Sequence, residues 1–186
     1  MLAFALLADF PSTQGNEWAF DLEAAGTKGT ATIRVQSALP TPDGINLTLA
    51  TTASIGSNKV YGTENWSIGP RGIYKLSGPQ GQFEPPLPVV IPGETSIQWK
   101  GDLILDGKRT KAEASIRTVD SDRVDSPAGR FDAFRSRVSL TLYDGEKSAE
   151  LATAYWFAEK IGWAKVESDL PGGIVTLVLR KFKPVK

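Results

Sequence analysis

The residues that could most readily bind a metal are three aspartates in the stretch DSDRVDSPAGRF, which runs from Asp120 to Phe131. Asp120, Asp122 and Asp125 could together offer oxygen ligands to Ca²⁺. The stretch lacks the glycine and the distal glutamate that a helix-loop-helix calcium site requires. We therefore expect a solvated turn followed by a tight Pro-Ala-Gly bend, and we predict no metal site.

Catalytic chemistry has equally little support. The chain contains no histidine and no cysteine, which excludes histidine-activated nucleophiles and sites built on imidazole or thiolate ligands. The segment GDLILDGKR has the wrong glycine spacing for a phosphate-binding loop, and Arg109 stands where that loop needs Ser or Thr. No spacing singles out a catalytic pair among Glu64, Glu94, Glu113 and Glu150, which we expect to face outward from strands. The sequence predicts no catalytic residue, no cofactor and no enzyme.

Aromatic side chains offer binding chemistry instead, since the chain has five tryptophans. One interpretation is that they fill the core, because large aromatics contribute much of the buried area of a small β protein. The other places some of them in an apolar cleft that contacts a lipid, a sugar face or a partner chain. The candidate ligand- or partner-binding residues are Trp66, Tyr74, Phe83, Trp156 and Trp163. Tyr155 would join Tyr74 as a polar group beside them.

Composition restricts the classes of partner. The chain has 186 residues, enough for one sizeable core, and its 21 Lys and Arg balance its 21 Asp and Glu. A net charge of zero argues against nucleic-acid binding, which usually requires a basic patch. The apolar run Leu2–Ala8 is too short for a membrane-spanning helix. It is interpreted either as a truncated signal peptide or as a short first strand or ordered arm, which could associate with a membrane.

Period-two alternation is the main structural signal. Ala31, Ile33 and Val35 share one face of a predicted strand, and similar patterns recur along the chain. The Asp-Gly pairs in LDGK (105–108) and YDGEK (143–147) predict tight hairpin turns. One segment, SAELATAYWFAEK, combines helix-forming composition with clean alternation, so local reasoning leaves helix and strand open.

Two halves of the chain show a similar order of residues, and we interpret them as internal repeats spanning 15–77 and 93–168. The matched positions are Trp18 with Trp99, Ile33 with Ile116, Trp66 with Trp156, Gly72 with Gly162 and Lys75 with Lys165. The first-half counterpart of the ambiguous segment has little helix propensity, so the repeat favours a strand over 149–157. A final strand is predicted over 173–182.

The two halves are joined by a seam, 78–92, that holds five of the twelve prolines. Because proline lacks an N–H donor, this seam is predicted not to be a central strand. Residues 83–91 could instead act as a lid or a docking strip. Each half is too small to bury a good core alone, so we expect residues 1–186 to form one all-β domain. The favoured architecture is a single curved antiparallel sheet or half-barrel of about ten strands, with a β-sandwich as the alternative.

Several motifs resemble, in the same order, a TapB-like family of uncharacterised exported bacterial proteins. They are GNEWAF, RGIYKLSG, PPLPVVIPGE, DSPAGRFDAFR and YWFAEKIGWAKVES. The resemblance implies an all-β fold, related to the half-barrels of periplasmic lipoprotein carriers, and it brings no catalytic residues. The chain departs from the family pattern at Ser126 and at Glu159-Lys160, where Pro-Gly is usual.

These observations together predict a non-enzymatic, extracytoplasmic binding protein of the periplasm or cell envelope. It would hold an apolar small molecule, a lipid or a partner segment in the concave face of its sheet. The alternative is an accessory or structural subunit of a larger envelope or membrane complex, bound to another envelope protein through an exposed face.

Overall fold

The computed structural model describes residues 7–145 and 147–185. This part of the chain contains twelve β-strands, most of them joined by tight turns. The strands are β1 (Glu17–Ala24), β2 (Thr27–Thr41), β3 (Gly44–Ile55), β4 (Asn58–Gly69), β5 (Gly72–Gly78), β6 (Gly81–Val90), β7 (Ser96–Leu105), β8 (Lys108–Ser126), β9 (Gly129–Asp144), β10 (Lys147–Ala158), β11 (Gly162–Leu170) and β12 (Gly173–Lys183).

Each strand pairs antiparallel with its neighbours in sequence, and β1 also pairs with β12, so the sheet closes into a barrel. The prediction of an all-β antiparallel fold is confirmed. The half-barrel of about ten strands and the alternative sandwich are both wrong, because β1 runs beside β12 along its whole length. That pairing satisfies two edges that a half-barrel would leave open. It joins the first and the last of these strands. The alternation of apolar and polar residues within one strand gives no information about such a distant pairing.

The proline-rich seam forms β6, and its pairing explains how a barrel strand accommodates three prolines. β6 pairs with β7 only through Gln82, Phe83 and Glu84. Beyond them, Pro88 pairs with Tyr74 of β5 alone, and Pro85 and Pro86 lie in a register shift where they pair with neither neighbouring strand. The segment therefore behaves locally as an edge, where a missing N–H costs little.

The second half of β6 turns inward, which is incompatible with a mobile lid. Phe83, Leu87, Val89 and Val90 are all buried in the core. The hydroxyl of Ser136 on β9 donates a hydrogen bond to the carbonyl of Val89. Phe83 and residues 87–90 therefore have a structural role in place of the lid, whereas Glu84, Pro85 and Pro86 are exposed and the docking strip stays a prediction for them.

One end of the barrel is closed by the segment before β1. The ring of Phe10 packs edge-on against Trp163 at 5.0 Å between centroids and also contacts Phe157. Trp18 donates its indole N–H to the carbonyl of Ile161 and packs against Trp163 at 5.0 Å. Most of the apolar run Leu2–Ala8 lies outside the described residues. Within residues 7–145 and 147–185, no helix has the length and apolar character that crossing a membrane requires.

The ambiguous segment SAELATAYWFAEK contributes most of β10, which confirms the strand prediction. The outer face of its second half, at Ala154, Trp156 and Ala158, is covered by the far half of the long β8–β9 hairpin. Beyond an irregularity between Val119 and Asp122, this hairpin packs over the outside of the barrel, and the N–H of Ala128 donates to the carbonyl of Leu179 on β12. The contact forms a second apolar cluster outside the barrel, made of Val124, Ala133, Ala154, Trp156, Ala158 and Ala164.

Candidate ligand-binding cavity

The interior of the barrel contains a cavity of about 230 Å³. Its walls are mostly apolar and are built from inward-facing residues of many strands, including Ile33, Leu49, Leu140, Leu151, Val166 and Leu177. The cavity extends to Gln80 in the β5–β6 turn and to Leu170 beside the β11–β12 turn, and both residues are exposed. It is therefore partly open at the barrel end opposite Phe10.

A charged pair lines this apolar cavity. Lys75 follows Ile73 by two positions on β5 and faces the interior with it, and its side chain is only 9% exposed. Its Nζ donates a hydrogen bond to Glu64 Oε1 at 2.7 Å, and Trp66 Nε1 donates to Glu64 Oε2 at 2.9 Å. The ammonium also lies 5.4 Å from the centroid of the Trp66 ring, within cation–π range.

The protonation states of Lys75 and Tyr155 follow from their surroundings. Burial opposes the charge on Lys75, but the interactions with Tyr155 and Glu64 outweigh it and raise the pKa of Lys75 to about 12. Burial is also the main reason why the pKa of Tyr155 is raised above its ordinary value of 10.0. Both groups consequently hold their protons at neutral pH and act as hydrogen-bond donors.

Aromatic rings hold this polar group in place. Trp66 packs edge-on against Tyr155 at 5.5 Å and against Trp163 at 5.7 Å between ring centroids. Tyr155 in turn stacks on Phe157. Because such edge-on and stacked contacts favour one arrangement of the rings, the position of the indole that contacts Lys75 and Glu64 is fixed by packing.

The structure brings together three of the five candidate binding residues predicted from the sequence. Trp66, Phe83 and Trp163 line the cavity. Tyr74 faces outward from β5, and its hydroxyl donates to the carbonyl of Arg71 at 3.3 Å. Trp156 also faces outward and lies under the β8–β9 hairpin, on the opposite face of β10 from the cavity lining.

The sequence predicted Lys75 as a repeat position but not as a site residue, and it misplaced Glu64. Glu64 was expected to face outward, yet it lines the cavity and pairs with Lys75. The signal was present in the alternation, since Glu64, Trp66 and Ile68 fall on one face of β4 and Ile73 and Lys75 on one face of β5. A charged residue in phase with buried apolar ones is the pattern that marks such a position.

The aspartate stretch forms ion pairs along the β8–β9 hairpin. Asp122 accepts a hydrogen bond from Trp156 Nε1 at 2.9 Å and pairs with Arg135 at 3.2 Å, and Asp125 pairs with Arg130. Among the residues that the structure describes, His, Cys, Asp and Glu form no group of three able to hold a metal.

No protein-family model matches this chain, and no curated protein matches it significantly. Among solved structures, a predicted lipoprotein of Parabacteroides distasonis is similar with a TM-score of 0.61 at 12% identity, over 98% of this chain and 100% of the other. A predicted exported protein of Bacteroides fragilis with a YmcC-like fold gives a TM-score of 0.52 at 15% identity, over 94% and 98% of the two chains. At these identities the similarity establishes the all-β fold, and membership of the TapB-like family stays a prediction.

Proposed function

We propose that this protein is a non-enzymatic binding module that holds an apolar ligand inside its barrel. The observation that carries the proposal is the partly open cavity of about 230 Å³, walled by apolar side chains and lined at one place by the Lys75–Glu64 pair. Small-molecule sites in proteins commonly combine apolar walls with a few fixed polar groups.

The chemistry of the cavity supports binding rather than catalysis. A nucleophilic lysine or a tyrosine general base requires a lowered pKa, whereas the pKa values of Lys75 and Tyr155 are raised. Glu64 is engaged by both Lys75 and Trp66. Lys75 and Tyr155 therefore present fixed donors, Glu64 is an acceptor that is already engaged, and none of the three is an activated base.

The extracytoplasmic location is part of the proposal. It is supported by the sequence resemblance to exported proteins and by structural neighbours described as a lipoprotein and an exported protein. In such a setting the ligand would be an apolar small molecule or a lipid.

A second candidate function, an accessory subunit of a larger envelope complex, is favoured by a different observation. Large apolar side chains are exposed near the turns at the open end of the barrel. Tyr61 is 72% exposed, Val60 59% and Ile174 55%. Val60 and Tyr61 are consecutive on β4, and Ile174 lies on β12 with three strands between. Exposed apolar groups that lie together, as Val60 and Tyr61 do, often mark contact surfaces, and here they would meet another envelope protein.

Quenching of tryptophan fluorescence by 1-bromooctane tests the binding proposal, because Trp66 and Trp163 line the cavity and bromine quenches indoles at short range. Saturable quenching is expected for the wild type. The variant Leu151→Trp, which fills the cavity, should abolish it, and Ala152→Trp on the opposite face of β10 should not. Equal, non-saturable quenching in all three proteins would refute the interior site and leave the accessory-subunit function.

A further inference from the structure

We propose that the ligand of this cavity is an acyl chain that ends in an uncharged ester, and that the site discriminates against free fatty carboxylates. The inference rests on the proposed function and names its ligand class. It follows from the charge balance, the hydrogen-bond donors and the free space around Lys75.

Charge balance disfavours an anionic head group. Lys75 and Glu64 already neutralise each other at 2.7 Å, and both lie in a poorly hydrated interior, with 9% and 27% of their side chains exposed. A ligand carboxylate at Lys75 would lie beside Glu64, and two carboxylates would then share one ammonium. Such like-charge proximity is unfavourable where the surroundings screen weakly.

The hydrogen-bond donors beside Glu64, Lys75 and Tyr155, favour a ligand group that accepts hydrogen bonds. An ammonium has three N–H groups; Glu64 accepts a hydrogen bond from Lys75 Nζ at 2.7 Å, and the hydroxyl of Tyr155 also interacts with it. At least one N–H group of the ammonium and the protonated hydroxyl of Tyr155 can therefore donate to a ligand. An ester carbonyl accepts hydrogen bonds, has no proton to donate and adds no charge.

The space for that carbonyl lies on the cavity side of Lys75, because Gly78 packs closely against the other side of the ammonium. A Cβ atom added to Gly78 would lie 3.2 Å from Lys75 Nζ and 2.8 Å from Gln80 Oε1, so any side chain there would push against the lysine. The cavity of about 230 Å³ has room for roughly eight groups the size of a water molecule, at about 30 Å³ each. A short acyl chain fits inside, and a longer one would leave the barrel past Gln80 and Leu170.

Competition against bound 1-bromooctane at pH 8 tests the inference with three competitors of matched chain length: methyl octanoate, octanoate and octane. We expect methyl octanoate to bind about tenfold more tightly than either of the others, the ratio that one hydrogen bond to a charged donor provides. In Lys75→Met the ester should lose this advantage over octane. Lys165→Met, which alters an exterior lysine beside Trp156, should retain it.

A second variant covers the case that Lys75→Met does not fold. Gly78→Ala keeps Lys75 and pushes against its ammonium, so it should weaken the ester about fivefold and leave octane unchanged. If octanoate binds as tightly as the ester or more tightly, the inference is overturned while the binding function stands. If none of the three displaces bromooctane and bromooctane itself does not bind, both fail.

Discussion

The two halves of the barrel contain the same tryptophan–lysine pair in opposite settings. The interior pair, Trp66 and Lys75, lies across β4 and β5, and the exterior pair, Trp156 and Lys165, lies across β10 and β11. In both pairs the two residues are directly cross-strand, an irregularity adjoins the tryptophan, and the ammonium lies over the ring, at 5.4 Å and 4.4 Å from its centroid.

The difference lies in the face of the sheet and in the carboxylate that completes each pair. Glu64, two residues before Trp66 on the same strand, accepts from the interior indole, and the group lines the cavity. Asp122, from the far half of the β8–β9 hairpin, accepts from the exterior indole. The same pair thus provides donors to a cavity in one half and attaches a hairpin to the barrel wall in the other.

Replacing each tryptophan with alanine should give the largest difference in stability between the interior and the exterior pair. Trp66 is 1% exposed at the centre of the aromatic group, so Trp66→Ala should lower the free energy of unfolding by about 4 kcal/mol. Trp156→Ala should cost about 2 kcal/mol, because water can enter at the outer face and the hairpin can adjust. Urea unfolding measures both. An equal or larger loss for Trp156→Ala would contradict the interior pair's central place in the core.

Replacing the lysines should show a smaller contrast in the same direction. Lys75→Met leaves Glu64 without its charged partner inside the barrel, and we expect a loss of about 2 kcal/mol. Lys165 is 26% exposed and its partner Glu167 33%, so Lys165→Met should change stability by less than about 0.5 kcal/mol. The same urea titration measures both variants. If Lys75→Met left the free energy of unfolding unchanged, the interior ion pair would add no stability.

Raising the pH above 10 should reduce the stability that the interior pair provides. The pKa of Lys75 is raised from 10.5 to about 12, so its contribution to stability is complete below pH 10.5 and is lost as the pH rises through about 12. The raised pKa of Tyr155 acts in the same sense, since the stability it provides is lost above its ordinary value of 10.0. Wild type and Lys165→Met should therefore lose stability between pH 10 and 12 more steeply than Lys75→Met. Parallel curves for the three proteins would contradict this.

Lowering the pH should reduce the stability that the exterior pair provides, and this is the smallest of the expected effects. The hydrogen bond from Trp156 is the main cause that lowers the pKa of Asp122 below its ordinary value of 3.8. Its contribution is present above that value and is lost as the pH falls below it. Trp156→Phe should reduce this acid-dependent loss by about 0.5–1 kcal/mol, measured by thermal unfolding from pH 5 to pH 2. An unchanged acid limb would mean that the indole does not stabilise the carboxylate.

The strands were predictable because alternation and Asp-Gly turns are local signals. The turns at Asp106-Gly107 and Asp144-Gly145 lie where the sequence predicts them, and so does the strand through Tyr155. Barrel closure was not predictable, because the β1–β12 pairing depends on how twist and register accumulate around the whole sheet. The predicted number of strands was too low in part because the prolines of β6 indicate a break in the sheet. The barrel accommodates these prolines because β7 stops pairing with β6 before them, which the sequence does not show.

The candidate site was predictable only in its aromatic part. Indole rings at Trp66 and Trp163 stood out by type, but so did Trp156, and only the fold separates the inner face from the outer. The predicted repeat pairs lie on strands six apart in the barrel, yet Trp66 and Trp156 face opposite sides. Equivalent positions in sequence therefore did not indicate equivalent environments.

A crystal structure of the protein soaked with 1-bromooctane tests the central claim most directly, because the anomalous signal of bromine locates the ligand. We expect the bromoalkane to lie inside the barrel in contact with Trp66 and Trp163. A bromoalkane ordered only on the outer surface, near Trp156 or Tyr74, with the interior cavity empty, would contradict it.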